Sequence, residues 1–209
     1  MAQNPLIPQT EVAAPEPADI ADELLGDAVA LTGPQEPLLV GSLPEGVAAW
    51  PRVEVVEHRL ITVAGLHGGA GTSTVARLFG DDAFDAGQGW PVAAGWARPL
   101  PALNVVVVAR THRTGLRVAD QFARQWAVGE LTESRLLGLV LVDDGPRLLS
   151  VQAQEAKRLL KLTPKGAHIP WNEQWRIQTP DTASLPRRIK KIIHGYRTLA
   201  QQQQQEREA

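Results

Sequence analysis

From Val53 onward, short β-branched runs alternate with amphipathic stretches, the rhythm of strands and helices laid around a parallel sheet. The pattern predicts strands over residues 53–57, 60–65, 103–109, 136–142 and, briefly, 167–169. The runs Val105, Val106, Val107, Val108 and Leu139, Val140, Leu141, Val142 are continuously apolar rather than alternating. Strands covered on both faces read this way, so these two are expected at the centre of the sheet. Helices are predicted over 73–79, 116–128, 148–162 and 186–199, each opening near a Ser, Thr or Pro signal. Between Phe79 and Leu103, residues 81–101 are rich in Gly, Ala, Trp and Pro without a usable period. They predict an irregular, partly packed loop in which Trp90 and Trp96 bury apolar area if they reach the core. The expected fold is a single α/β domain over 51–198, with a parallel sheet of about four or five strands flanked by helices.

Outside that rhythm the composition changes. Residues 1–50 carry eight acids, no Lys or Arg, and seven of the chain's 16 prolines. Such a segment cannot bury enough apolar surface to offset its ordering entropy and is predicted to be disordered. Within it, Ile20, Leu24, Leu25 and Val29 recur at helical spacing after Asp19, so one helix could form there on a partner's surface. From Lys157 to Arg197 the balance reverses, with ten basic residues against Glu173 and Asp181. An acidic head and a basic end attract each other, which the net charge of -2 conceals. Residues 199–209 read as a polar helix extension or a frayed tail.

The chain has no cysteine, which excludes a disulfide framework, a thiol nucleophile and cysteine-built metal sites. No apolar run approaches ~18 residues, and the N-terminus lacks a basic and an apolar signal region. The sequence therefore predicts a cytoplasmic protein without a membrane span.

The most specific feature is Ile61-Thr62-Val63-Ala64-Gly65-Leu66-His67-Gly68-Gly69-Ala70-Gly71-Thr72-Ser73-Thr74, a strand running through a glycine-rich loop into a helix. Glycines let successive N–H groups converge into a nest, and the helix start adds its positive dipole end and unpaired amides. That combination suits a phosphate. The loop resembles the deviant Walker A motif of the ParA/MinD family, Lys-Gly-Gly-x-Gly-Lys-[Ser/Thr]-[Ser/Thr]. Gly68, Gly69, Ala70, Gly71, Ser73 and Thr74 match it, while His67 and Thr72 stand where the family has its two lysines. The resemblance implies a P-loop-type sheet, ATP with Mg²⁺ as ligand, residues 67–74 as the phosphate site, and Ser73 as the Mg²⁺ position. Each missing lysine removes a charge-assisted bond of ~1.5–3 kcal/mol, and the loss harms hydrolysis more than binding. More loosely, the strands ending at Ala109, Val142 and Ile169 look like later strands of that family. Its switch I and Walker B aspartates have no counterpart in the 23 residues between Phe79 and Leu103, too few for a further βαβ unit of ~30. Of the acids in that gap, Asp81, Asp82 and Asp85, none ends an apolar run.

What the resemblance implies is thus a degenerate, non-catalytic or weakly nucleotide-binding protein. It would serve as adaptor or regulator in a bacterial partition, mobile-element transfer or secretion system. A slow Mg²⁺-dependent nucleotide hydrolase is the enzymatic alternative. The chain also resembles an actinobacterial family carrying this loop, and its 16 Arg against five Lys look like a high-GC bacterium. A protein partner, met through the N-terminal segment, and a second copy of the chain are the expected partners.

Three competing readings come from the same residues. Gly65-x-x-Gly68-x-x-Gly71 fits a loose dinucleotide pattern, which wants an acid ~20 residues on, whereas Asp82 and Asp85 fall closer and in loop-like sequence. The glycines can also simply make a tight turn that binds nothing. Finally, the predicted last helix sets Ile189, Ile192, Ile193, Tyr196 and Leu199 on one face and Arg187, Arg188, Lys190, Lys191 and Arg197 on the other. Such a helix docks through its apolar stripe, with a nucleic-acid or anionic-membrane surface as the sharper alternative. Arg110, Arg113 and Arg117 follow a strand's C-terminal end, where ligands bind in open α/β sheets, and are candidate anion contacts or a solvated helix start. His58, His112, His168 and His194 show no metal-ligand spacing and read as structural or surface residues. Trp171 and Trp175, one helical turn apart, read as closing a core.

Overall fold

The computed structural model describes residues 31–208 apart from positions 40 and 44. The predicted helix around Ile20–Val29 lies outside the described residues. The main sheet holds five parallel strands, in the spatial order β3, β2, β5, β6, β7: β3 (Ala83–Gln88), β2 (Ile61–Gly65), β5 (Asn104–Arg110), β6 (Arg135–Val142) and β7 (Lys165–Ile169). Counting only these strands along the chain, the order is 2-1-3-4-5, that of a doubly wound sheet. The continuous apolar runs are central, as expected: Val105–Val108 and Leu139–Leu141 are fully buried.

Among the described residues, four α-helices cover the two faces: α1 (Thr72–Phe79), α2 (Arg113–Ala127), α3 (Ser150–Leu159) and α4 (Arg187–Glu208). On one face α1 and α4 pack Val75, Leu78, Phe79, Ile189, Ile192 and Tyr196 against Val63, Val106 and Val140. On the other, α2 and α3 pack Phe122, Trp126 and Leu159 against Val105, Val107 and Leu139. The chain moves outward from β2 to β3 over one face and from β5 to β7 over the other. Right-handed crossovers require that change of face. Helix α4 docks through its apolar stripe, as read from the sequence, and it continues to Glu208, so the residues from 199 extend the helix rather than forming a tail apart from it.

Three expectations change. The 81–101 loop contains two strands, β3 and β4 (Trp90–Ala93). The predicted strand at 53–57 forms as β1 (Arg52–Val55), but it leaves the main sheet and pairs in parallel with β4. Pro91 sits in β4 because that two-stranded ribbon leaves one side of the strand without a ladder to donate to. Trp90 is fully buried against Phe122, ring centroids 5.8 Å apart. The boundary near residue 50 also moves. Thr32 accepts from the Gly166 amide and donates to the Leu160 carbonyl, both at 2.6 Å. The Leu39 amide donates to the Ala127 carbonyl, and Trp50 is buried against Phe122. Residues from Leu31 onward therefore strap the sheet edge opposite the glycine loop, without forming a helix or strand of their own.

Candidate functional site

In a doubly wound sheet a crevice opens where two neighbouring strands send their connections to opposite faces, outside their C-terminal ends. Here that switch point lies between β2 and β5. The glycine loop leaves β2 on one side of it, and Arg110–Gly115 leave β5 on the other. His67 stitches the two. Its Nε2 accepts from the Arg110 backbone amide at 3.1 Å, so that nitrogen carries no proton, and Nδ1 donates to the Gly68 carbonyl at 2.9 Å. The imidazole is thereby committed to the protein at both nitrogens and takes a structural role in the loop.

The loop itself ends in Gly71, whose φ of 96° is left-handed and suits glycine alone at low cost, and α1 starts at once behind it. Gly71 supplies no side-chain cap. Among the described residues, no protein acceptor meets the amides of Gly68, Gly69, Gly71, Thr72, Ser73 and Thr74, whereas the Ala70 amide is bonded to the His67 carbonyl. Unpaired amides at a left-handed turn into a helix make a cradle for an anion. Ser73 is exposed at this start. Thr72, in one of the lysine positions, turns its hydroxyl back over Gly65, where a side chain on residue 65 would collide with it.

The cation the fold brings to the loop is Arg110. Its Nε donates to the Gly69 carbonyl at 3.3 Å and its Nη1 to the Asp143 carbonyl at 2.6 Å. Its guanidinium nitrogens stand 3.7–3.8 Å from where a Cβ on Gly71 would lie. Arg113 and Arg117 are exposed on α2 and make no hydrogen bond to the loop. Arg187, Lys190 and Lys191 are exposed on α4, while Arg188 turns inward onto His168. The anion candidates therefore split: Arg110 joins the loop, and the α4 cations lie apart from it.

Sequence reasoning missed the neighbouring cluster. Thr111 and Asp143, the residues just past β5 and β6, come together there with His168, which lies within β7. Asp143 Oδ1 accepts from His168 Nε2 at 2.7 Å and Oδ2 from the Trp171 amide at 3.2 Å. Arg188 Nη2 donates to His168 Nδ1 at 3.3 Å, which fixes the ring's other nitrogen as acceptor. The Thr111 hydroxyl lies 2.9 Å from Asp144 Oδ1 and 3.3 Å from Asp143 Oδ1. The signal available was a polar residue straight after two of the apolar runs, Thr111 after Arg110 and Asp143 after Val142, and a histidine inside the third. His168 is buried rather than at the surface, and its acid partner Asp143 stands just past the end of the adjacent strand β6. His112 caps α2, its Nδ1 accepting from the Gly115 amide at 3.0 Å. On the other flank, Asp85 and Gln88, within the stretch expected to be an irregular loop, sit on β3 beside β2. Asp85 is in register with Val63 and accepts from the Gly87 amide, and Gln88 Oε1 approaches Gly68. Trp175 packs on the core, but Trp171 is half-buried, bonded to Glu173 and covered by Arg176.

These features define a doubly wound α/β domain with an amide cradle at its switch point. The chain belongs to a family of unknown function (DUF6668), whose profile matches residues 60–193. Comparisons with curated proteins and with solved structures return no match. No described helix is long and apolar enough to cross a membrane.

Proposed function

We propose that the chain is a degenerate, ParA/MinD-like phosphate-loop protein that binds the phosphates of a nucleotide without turning it over efficiently, and acts as an adaptor or regulator in a bacterial partition, mobile-element transfer or secretion system. The observation that carries the reading is the run of amides at residues 68, 69 and 71–74 without a protein acceptor among the described residues, placed at the switch point with Arg110 beside it. Phosphate oxygens would take these amides, and the Arg110 guanidinium would supply part of the positive charge that the two absent lysines leave out. Where Mg²⁺ accompanies the nucleotide, Ser73 is the hydroxyl to hold it. Arg110 is tied to two carbonyls and His67 is locked, so no side chain of the loop is poised to neutralise charge developing on a transferred phosphoryl group. Binding without fast hydrolysis follows.

Calorimetric titration of ATP, ADP and GTP with Mg²⁺, followed by a phosphate-release assay, separates the readings. Saturable binding with negligible release is expected. No heat with any of the three leaves a turn that binds nothing, and steady release reinstates the hydrolase.

A further inference from the structure

Strand β3 reaches the glycine loop through a fault in its ladder with β2. Ile61, Thr62 and Val63 face Ala83, Phe84 and Asp85 in turn, but Gly65 faces Gln88, so β3 carries one extra residue over this stretch. Such a β-bulge re-aims a side chain, and bulges are common beside sites. Two features fix this one. Gly87 adopts φ 71°, in the left-handed region open to glycine at low cost, and its amide donates to Asp85 Oδ1 at 2.9 Å. Past the bulge, the Gly89 amide donates to the Gly65 carbonyl at 3.3 Å. An unbroken ladder would set Gly87 opposite Gly65 and bring no side chain to this point. The extra residue puts Gln88 there instead.

Gln88 is exposed, and its Oε1 stands 3.9 Å from where a Cβ on Gly68 would lie. Among the described residues its carboxamide has no protein partner. Its neighbours at the cradle are committed: His67 is locked at both nitrogens, and Arg110 is tied to two carbonyls. We propose that Gln88 is an anion-binding residue of the cradle, its Nε2 donating to a phosphate oxygen held by the Gly68 and Gly69 amides. This deepens the phosphate-loop reading and rests on it. A carboxamide carries an acceptor at one end and two donors at the other, and the torsion that exchanges them is soft. A half-turn therefore brings Nε2 to where Oε1 stands. Being neutral, Gln88 adds a donor without the charge of the two absent lysines, which suits holding an anion rather than driving its transfer.

Because Gln88 is exposed, it can be replaced with little change in thermal midpoint. Gln88→Ala, Gln88→Glu and Gln88→Lys in the full chain are titrated by calorimetry with Mg²⁺ and pyrophosphate, which has no sugar, and with Mg²⁺ and ATP. Pyrophosphate binding is expected to weaken about threefold to tenfold in Gln88→Ala. It should weaken further in Gln88→Glu, where a carboxylate meets the anion, and tighten in Gln88→Lys, with the same order for ATP. In the parent chain the side-chain NH₂ signal of Gln88, assigned by its loss in Gln88→Ala, should shift saturably with pyrophosphate. Parent-like affinity in all three variants, with that signal unmoved, would overturn the proposal. So would losses with ATP but none with pyrophosphate, because the contact would then be to the sugar. A parent chain that binds neither probe would remove the phosphate-loop reading itself, and the role of Gln88 with it.

Discussion

Two stretches of the same sheet edge handle their polar groups in opposite ways. Where β5, β6 and β7 end, Asp143 and His168 are 7% and 2% exposed, and their bonds with Trp171, Arg188 and the strand ends are made within the protein. Where β2 ends, the loop is largely open and six amides lack a protein acceptor among the described residues. Both stretches share the parallel topology and both face helix starts. The contrast separates two kinds of strand end: a buried, internally bonded network fixes structure, while open amides without a protein acceptor are free to bond solvent or an anion. The cluster richest in titratable side chains is therefore the scaffold, and the stretch without a lysine is the candidate site. Arg110 joins them, bonded to Gly69 on one side and to Asp143 on the other.

The comparison can be broken most forcefully at Asp143. Asp143→Ala strands the buried His168 Nε2 proton and the Trp171 amide, so a stability loss of ~3–5 kcal/mol is expected by urea denaturation. A loss below ~1 kcal/mol would deny the network its scaffolding role. Gly115→Ala comes next. A Cβ there would collide with the Arg110 carbonyl and stand 3.0 Å from His67 Nε2, prising the two sides of the switch point apart. A cost of ~1–3 kcal/mol is expected, read as a fall in thermal midpoint, and an unchanged midpoint would mean that the crevice tolerates repacking. Arg110→Ala sharpens the contrast from the binding side. Nucleotide affinity should fall by ~1.5–3 kcal/mol, and calorimetry of the variant beside the parent chain checks it.

The smallest effect is a control far from the edge. Burial is the strongest single influence on the Asp120 carboxyl and raises its pKa, but the hydrogen bonds and charges of Arg124 and Arg158 together hold it below its ordinary value. A carboxylate depressed in the folded state stabilises the fold above its unfolded pKa, and that contribution is lost as pH falls through the folded value. Asp120→Asn should accordingly cost ~0.5 kcal/mol at neutral pH, with the gap to the parent chain closing in acid below about pH 4. A gap that stays constant down the pH range would show that the ion pairs contribute nothing.

The two central strands, β2 with its loop and α1, and the apolar stripe of α4 were legible because burial on both faces, or on one helical stripe, leaves an unmistakable spacing. Strand β3 was not: Ala83–Gln88 contains Asp85 and Gly87, and it becomes a strand because β2 offers a parallel ladder at the sheet's edge. Strand β1 carried the local signal but not its destination, since only the pairing with β4 takes it out of the main sheet. At the site, the cradle was visible in the glycine spacing. The locking of His67 and the inward turn of Arg188 depend on residues 43 and 20 positions away in the chain, which periodicity cannot reach.

The most direct measurement is a titration of isotope-enriched protein with Mg²⁺ and ATP followed amide by amide. Gly68, Gly69, Gly71, Thr72, Ser73 and Thr74 are expected to shift progressively and saturably, while the amides of His168 and Trp171 in the buried network stay in place. Shifts centred on the network with the glycine loop silent, or no saturable shift anywhere, would contradict the assignment of the open cradle as the site.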